Sequence, residues 1–297
     1  MERSRIIVAT DLSDQAAVAA TWAHHFAREH DLEVVVAHVI KIGVVNWAKG
    51  AYNVLEDTRL MRKAEARVEQ WYEEVTGDAP AAVGVEVGHV PVQLGKLVEK
   101  FRASMLVVAV SGKGRLKRIL LGSNAKNLAS DPPCPLILVD PDHTEFHDPP
   151  RLAVGVDFSE NGRRAAQFGA RIAHQLGSSL DLVHADRAPT IEALEDEDLP
   201  EEFVEDGRFE WVEREMSDLV DRLRAEMPEV DYHTHCIEED PARGLIDFVE
   251  ERDSDLLVLG RTGQSRFVAT VIGSVLLKML QAVPTTLAII PADYAPE

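Results

Sequence analysis

Cysteine is scarce in this chain, which has two in 297 residues. Cys134 and Cys236 lie far apart and show no C-x-x-C spacing, so the sequence predicts neither a disulfide framework nor a cysteine-rich metal site. We interpret both thiols as packing residues in a reducing compartment. The protein is accordingly predicted to be cytoplasmic.

Long apolar runs are also missing. No stretch approaches the roughly 18 uncharged apolar residues that a membrane-spanning helix needs. The N-terminal segment passes from a charged tip directly into a short apolar run that is typical of a core strand. We therefore predict no membrane partner.

Basic residues are in short supply, with 31 Lys and Arg against 51 Asp and Glu and a net charge of -20. Duplex nucleic acid binding requires clustered cations, so no nucleic-acid partner is predicted. Residues 1–145 hold 17 basic and 19 acidic residues, whereas 146–297 hold 14 and 32. Much of this acid lies in 192–206, which we interpret as a solvated loop.

The sequence contains an internal repeat. RIIVATDLSD at 5–14 returns as RLAVGVDFSE at 151–160, an offset of 146, and the Gly-Ser pairs at 122–123 and 273–274 lie 151 apart. We predict a first domain at 1–141, a linker at 142–150 and a second domain at 151–297. The five additional residues of the second copy are placed in the acidic segment, because loops tolerate insertion.

Each copy alternates short apolar runs with amphipathic runs. This pattern predicts two tandem doubly wound α/β domains, each with a five-stranded, mostly parallel sheet and helices on both faces. The predicted strands are 5–10, 33–40, 83–90, 105–110 and 135–139 in the first copy, and 151–156, 179–185, 230–237, 255–260 and 286–290 in the second. The predicted helices are 14–29, 53–76, 92–103 and 123–130, then 160–177, 207–227, 241–252 and 273–282.

Candidate binding residues follow the first and fourth strands of each copy. Ligands of open parallel sheets bind at the carboxyl ends of the strands, where Asp11 and Asp157 are expected. After the fourth strand of the second copy, residues 260–274 read G-x2-G-x9-G-S. Such glycines admit positive φ and let amides approach an anion, and a Gly-Ser pair that opens a helix offers unpaired N–H groups. The segment predicts a phosphate site, although it is not a GxxxxGK[ST] P-loop.

These motifs resemble the universal stress protein family in its tandem form, over almost all of both copies. The resemblance implies a Rossmann-like fold of the adenine nucleotide alpha hydrolase type that binds ATP, with Mg²⁺ or Mn²⁺ left open. It implies an aspartate that contacts adenine, a residue near the base and ribose at the end of the second strand, and a glycine-rich phosphate segment. The implied residues are Asp157, Ala185, Gly260, Gly263, Gly273, Ser274 and Val275 in the second copy, and Asp11, Val39, Ala109, Gly112, Gly122, Ser123 and Asn124 in the first.

Ala109 departs from the pattern, since it stands where the first glycine is expected. If this position requires positive φ, an alanine there costs on the order of 1–2 kcal/mol of strain and weakens the first site. The first loop nevertheless carries more cations, namely Lys113, Arg115, Lys117 and Arg118. We give the glycine pattern more weight, which favours the second copy.

Other polar residues have structural interpretations. Ser13 and Ser159 are predicted N-caps of the helices that follow the first strands. His38 and His184 occupy equivalent strand ends and are interpreted as packing residues. His233, His235 and Cys236 form a cluster of metal-ligand types, but a strand directs Cys236 away from the histidines, so no metal site is predicted.

The sequence leads to a soluble ATP-binding stress-response regulator, with a non-nucleotide-binding dimeric scaffold of the same fold as the alternative. Neither an HxGH nor an SGGxDS-like signature follows the first strands, so no catalytic residue is predicted. ATP hydrolysis or autophosphorylation is expected to be slow and incidental. The resemblance further implies that segments 135–141 and 285–292 pair, which makes the copies an intramolecular pseudo-dimer and leaves a homodimer open.

Overall fold

The computed structural model describes residues 4–41, 58–110, 123–141, 147–187, 207–263, 273–282 and 285–295. The acidic segment 192–206 lies outside these residues. The chain divides into two compact units, one of Met1–Thr144 with Thr286–Pro291 and one of Glu145–Thr285 with Ala292–Glu297. The sequence copies are called the first copy (1–141) and the second copy (151–297) below, and these boundaries stay a prediction.

Strands and helices alternate through both copies, as the hydrophobic pattern predicts. In the first copy they are β1 (Arg5–Thr10), α1 (Asp14–Glu29), β2 (Glu33–Ile40), α2 (Thr58–Thr76), β3 (Ala82–Val87), α3 (Val90–Phe101), β4 (Ala103–Ala109), α4 (Ser123–Ser130) and β5 (Leu136–Val139). In the second copy they are β6 (Leu152–Gly155), α5 (Glu160–Leu176), β7 (Leu180–Ala185), α6 (Gly207–Glu226), β8 (Tyr232–Ile237), α7 (Pro241–Arg252), β9 (Leu256–Gly260), α8 (Ser274–Ala282) and β10 (Thr286–Ile290).

The first unit has the strand order β3-β2-β1-β4-β5-β10. The pairs among β1 to β5 are parallel, and the order reverses direction between β1 and β4, as in a doubly wound sheet. The apolar centres of its inner strands, Ile6–Val8 in β1 and Leu106–Val107 in β4, are fully buried, as expected for a sheet that is covered on both faces. β10 pairs antiparallel with β5, with Ala288 opposite Ile137, which confirms the predicted pairing of these two segments.

The second unit has the parallel strand order β9-β6-β7-β8. The chain crosses from β6 to β7 on one side and returns to β9 on the other side of β6. The carboxyl ends of β6 and β9 therefore lie next to each other, and a crevice is expected outside them. This topology brings residues near 157 and 260 together although they are about a hundred positions apart in the sequence.

Serine caps both helices that follow the first strands, as predicted. The Ser13 hydroxyl accepts a hydrogen bond from the Ala16 amide at 3.2 Å, and the Ser159 hydroxyl accepts one from the Gly162 amide at 3.0 Å. The residues before them, Leu12 and Phe158, have φ values of 64° and 59°. Both copies therefore use the same tight turn, which leads from the first strand into a capped helix.

The predicted boundaries differ from the structure most clearly at β3. The apolar run suggested a strand to residue 90 and a helix from 92, whereas β3 ends at Val87 and α3 begins at Val90. Pro91 explains the difference, because proline is tolerated in the first helical turn, where its missing N–H has no intrahelical partner. At the other end of a helix, Gly177 has φ 62° and caps α5, which was predicted to include it.

The two cysteines have different environments. Cys134 is buried, which confirms its predicted packing role, and burial raises the pKa of its thiol to about 12. Cys236 is exposed, so its interpretation as a packing residue is wrong. Partial desolvation by the surrounding protein still raises the pKa of the Cys236 thiol. Neither thiol is therefore activated as a thiolate at neutral pH.

Two mid-helix glycines are expected to respond oppositely to alanine. A Cβ on Gly169 would lie 2.5 Å from Val154 Cγ2 in the buried strand β6. Gly169→Ala is therefore expected to destabilise the protein by about 1–3 kcal/mol. A Cβ on Gly95 meets nothing closer than 4.0 Å, so Gly95→Ala is expected to stabilise it by roughly 0.5–1 kcal/mol through helix propensity. Urea unfolding measures both, and equal signs would contradict the packing at Gly169.

Candidate functional site

A cavity of about 200 Å³ lies at the carboxyl ends of β6, β7 and β9 in the second copy. Its volume is several times the roughly 30 Å³ that a water molecule occupies in the liquid, so it has room for an organic ligand. We call it the second-copy cavity. All seven residues predicted for the second-copy site line it, namely Asp157, Ala185, Gly260, Gly263, Gly273, Ser274 and Val275.

Asp157 is held in a defined orientation in the wall of the cavity. Its Oδ1 accepts hydrogen bonds from the Ser159 amide at 3.0 Å and the Ser159 hydroxyl at 2.6 Å. The turn at Phe158, with its positive φ, brings Ser159 back to the carboxylate. Asp157 is the one charged side chain among the described residues that line the cavity. The site therefore presents a fixed hydrogen-bond acceptor at one side.

The glycines of the second-copy loop are required by close approach rather than by backbone conformation. Gly260, Gly263 and Gly273 do not have φ in the left-handed region, so the expectation of positive φ is wrong at these positions. A Cβ on Gly260 would instead lie 2.9 Å from Asn161 Oδ1, and one on Gly263 would lie 2.6 Å from Asp157 Oδ2. The loop passes so close to the start of α5 that only glycine fits.

Asn161 links this loop to α5. It is 6% exposed, and its Oδ1 accepts hydrogen bonds from the Thr262 amide at 2.9 Å and the Thr262 hydroxyl at 3.3 Å. No sequence motif singles out Asn161. Asparagine is common in the first turn of a helix, so its type and position alone do not indicate a long-range contact. Its partner lies 101 positions away in the sequence.

Helix α8 begins at the cavity. The Gly273 amide donates to the Arg261 carbonyl at 3.1 Å, and the Gly273 carbonyl accepts the Leu277 amide at 2.9 Å, which opens the helix. The first amides of a helix have no intrahelical acceptor and carry the positive end of the helix dipole. Ser274 and Val275, the first two residues of α8, line the cavity. This wall is suited to an anion.

Helix α7 also lines the cavity, although no residue of this helix is among the predicted site residues. Pro241 and Leu245 line the cavity together with Val183 and Leu259. The sequence does indicate where this helix begins, because an N-cap residue followed by proline, here Asp240-Pro241, is typical of a helix start. A helix that follows a parallel strand begins at the edge of the sheet where that strand ends. Asp240 caps α7 and also meets Lys278 of α8, whose Nζ lies 3.0 Å from Asp240 Oδ2. Hydrogen bonds from Lys278 lower the pKa of the Asp240 carboxyl.

The predicted residues of the first copy are only partly described. Asp11 follows the end of β1, and Val39 is the last residue but one of the neighbouring strand β2. Asp11 Oδ1 accepts the Ser13 amide at 3.1 Å, as Asp157 does from Ser159. Ala109 ends β4, and Ser123 and Asn124 begin α4. Gly112 and Gly122 lie outside the described residues. The structure thus places the strand-end positions of this site and leaves its glycine loop as a prediction.

The remaining candidate residues have structural partners. His38 Nδ1 lies 2.8 Å from the Thr10 carbonyl, and His184 Nδ1 lies 2.8 Å from the Val156 carbonyl. Each ring joins the ends of two neighbouring strands, which confirms the shared packing interpretation. His235 Nε2 contacts Asp181 Oδ1 at 2.7 Å.

Two further features are absent from the described residues. No group of three or more His, Cys, Asp or Glu residues is arranged there to hold a metal ion. Within the same residues, no helix has the length and hydropathy to cross a membrane.

Comparison with known proteins gives the family. The sequence model of the universal stress protein family matches residues 2–140 and 150–291. A universal stress protein of Mycolicibacterium smegmatis is 28% identical over 297 residues, with 96% of each chain covered. One from Mycobacterium bovis is 27% identical over 287 residues, with 93% of each covered.

The fold has a close counterpart among solved structures. A universal stress protein from Archaeoglobus fulgidus superposes with a TM-score of 0.68 at 19% identity, covering 98% of this chain and 99% of that one. At this identity the likeness supports the fold alone. The family match covers both copies over nearly their whole length. The chain is therefore a tandem member of the universal stress protein family.

Proposed function

We propose that this chain binds ATP, with the second-copy cavity as a binding site, and acts as a stress-response regulator. The observation that carries the proposal is the convergence of seven residues on one cavity. They come from four separate parts of the chain, at 157, 185, 260–263 and 273–275. Sequence adjacency does not bring such parts together, whereas the doubly wound topology does.

The walls of the cavity match the parts of an adenine nucleotide. The Asp157 carboxylate can accept a hydrogen bond from the adenine amino group, and its fixed orientation reduces the entropic cost of that contact. Ala185, Val183 and Leu245 offer apolar surface to the base. The unpaired amides at the start of α8 and the Ser274 hydroxyl suit the phosphates. Catalytic residues are not part of the proposal.

A divalent cation would enter with the nucleotide. Mg²⁺ prefers carboxylate, phosphate and water oxygens and usually binds through the substrate's phosphates with few protein ligands. Because Asp157 is assigned to the base, we propose that Mg²⁺ or Mn²⁺ is coordinated mainly by ATP. ATP titrations in the presence of Mg²⁺, of Mn²⁺ and of a chelator show whether binding needs a divalent cation and which of the two metals supports it.

ATP is expected to raise the unfolding temperature of the purified chain by several degrees. A ligand present at 100 times its dissociation constant adds roughly 2.7 kcal/mol to the stability of the state that binds it. Thermal unfolding followed with ATP, GTP and inorganic triphosphate separates base recognition from phosphate binding. GTP should bind at least about tenfold more weakly, because guanine presents an acceptor where adenine presents its amino group.

The same titration tests the alternative function. An unchanged unfolding temperature at millimolar ATP, with and without divalent cation, would remove the nucleotide proposal and favour the dimeric scaffold. Equal responses to ATP and triphosphate would keep a phosphate site and remove the assignment of Asp157 to adenine. The cytoplasmic location, the intramolecular pseudo-dimer and a homodimer stay predictions, to be tested by fractionation and by light scattering.

A further inference from the structure

The two copies differ at the residues that position the loop after the fourth strand. In the second copy, Asn161 Oδ1 holds Thr262, and residue 260 must be glycine because a Cβ would lie 2.9–3.0 Å from the side chain and carbonyl of Asn161. By the offsets of the repeat, Ala109 replaces Gly260 and Gln15 replaces Asn161. By analogy with Gly260, a Cβ at residue 109 would require the space that the asparagine arrangement uses, and Gln15 is one methylene longer than asparagine. The second-copy arrangement therefore cannot be reproduced in the first copy.

A second difference lies between the two helices that flank the cavity. Asp240 caps α7 next to Pro241, and Lys278 stands one turn after Ser274 on the same face of α8. Their ion pair, at 3.0 Å, joins the two helices beside the cavity. The equivalent positions in the first copy are His89, which makes no side-chain cap hydrogen bond, and Asn127. A histidine and an asparagine cannot form a carboxylate–ammonium pair.

The Asn161–Thr262 hydrogen bonds and the Asp240–Lys278 ion pair are expected to affect ligand affinity more than the stability of the fold. The side chains of Lys278 and Asp240 are 58% and 32% exposed. Ion pairs of this exposure contribute little to stability in water. They do fix where α8 begins relative to α7. Anion binding by helix amides depends on that placement, because hydrogen bonds weaken steeply with small changes in distance and angle. A loop and a helix held in place before binding lose less freedom when the ligand arrives.

We infer that the two copies are unequal sites, and that the second copy is the high-affinity nucleotide site of the chain. Asn161 and the Asp240–Lys278 pair are its positioning residues. The inference rests on the proposed function and adds to it which copy binds and why. The first copy is expected to bind ATP at least tenfold more weakly than the second.

Isothermal titration of the full chain with ATP tests the inference. The expected isotherm shows one tight site per chain. Asn161→Gln and Lys278→Asn give the second copy the residues of the first, and they should weaken the tight site by about five- to tenfold and about two- to fivefold, respectively. The unfolding temperature of the ligand-free chain should stay nearly constant for Lys278→Asn, because that pair is exposed. Asn161→Gln should lower it by a few degrees, because Asn161 is buried and accepts two hydrogen bonds, and its loss of affinity should exceed what this loss of stability accounts for. Lys278→Arg should retain the affinity because it retains the ion pair. Gln15→Asn is the matched control in the first copy and should leave the tight site unchanged.

The outcomes separate this inference from the function it rests on. Two sites of equal affinity, or a tight site that survives both second-copy substitutions, would overturn the inference and leave ATP binding intact. Loss of affinity in proportion to loss of thermal stability would assign Asn161 and Lys278 to the fold alone and would also overturn it. The absence of any ATP binding would remove the proposed function itself.

Discussion

Gly263→Ala is expected to weaken ATP binding by a hundredfold or more while the fold is largely retained. The new Cβ would lie 2.6 Å from Asp157 Oδ2. The carboxylate cannot move away cheaply, because the Ser159 amide and hydroxyl hold its other oxygen. Either Asp157 turns out of its position in the cavity wall or the loop retreats from the start of α5. Both results remove contacts proposed for the nucleotide, and each lost contact to a charged group costs about 1.5–3 kcal/mol.

The comparison with other glycines makes this prediction specific. A Cβ on Gly273 meets nothing closer than 3.5 Å, which is ordinary van der Waals contact, so Gly273→Ala should have a much smaller effect on affinity. Gly95→Ala, in helix α3, should leave ATP binding unchanged. Calorimetric titration gives the affinities, and urea unfolding should show a loss of about 1–2 kcal/mol for Gly263→Ala, within the range of ordinary point substitutions. Equal affinities for Gly263→Ala and the unsubstituted chain would contradict the assignment of this loop.

The sequence predicted the architecture because the strands are continuous apolar runs and the repeat supplied each element twice. Ile6–Val8, Val35–Val36 and Leu257–Val258 are fully buried, as apolar runs in a sheet covered on both faces should be. The prediction was less accurate where one residue type suits two structures. The Val-Pro-Val run at 90–92 has the composition of a strand end, yet its proline fits the first turn of α3.

The sequence predicted which residues of the second copy come together, but not the contacts that hold them. Motif and topology together placed seven residues that the structure brings to one cavity. Positive φ, one of the two uses expected of these glycines, does not apply at Gly260, where a Cβ would instead meet the side chain of Asn161. That contact joins residues almost a hundred positions apart. Neither propensity nor periodicity carries information on such a contact, so Asn161 and the Asp240–Lys278 pair were missed.

Asp255 was also beyond prediction, since a carboxylate at the start of an apolar strand is expected to reach solvent. Its side chain is completely buried, and it accepts hydrogen bonds from the Arg151 amide at 2.7 Å and the His147 amide at 3.2 Å. His147 Nδ1 lies 3.1 Å from the same carboxylate. The described end of the predicted linker, at 147–150, is thus attached to the start of β9.

Asp255→Ala is therefore expected to destabilise the second unit by about 3–5 kcal/mol. This is a large share of the free energy of unfolding of a domain, which is usually roughly 5–15 kcal/mol. The substitution removes a completely buried acceptor and leaves two backbone N–H groups and the partly exposed His147 imidazole without it. Asp255→Asn keeps one acceptor oxygen and should cost about half as much. Urea unfolding at neutral pH measures these variants.

Asp253→Asn is the matched control for Asp255→Ala. The Asp253 side chain is 62% exposed, although its Oδ2 lies 3.3 Å from His147 Nε2. An exposed ion pair of this kind contributes little, so Asp253→Asn should change the free energy of unfolding by less than about 0.5 kcal/mol. If Asp255→Ala were no more destabilising than Asp253→Asn, the carboxylate would not be what holds residues 147–151 against β9, and the packing of Leu152 and Leu256 alone would have to account for that junction.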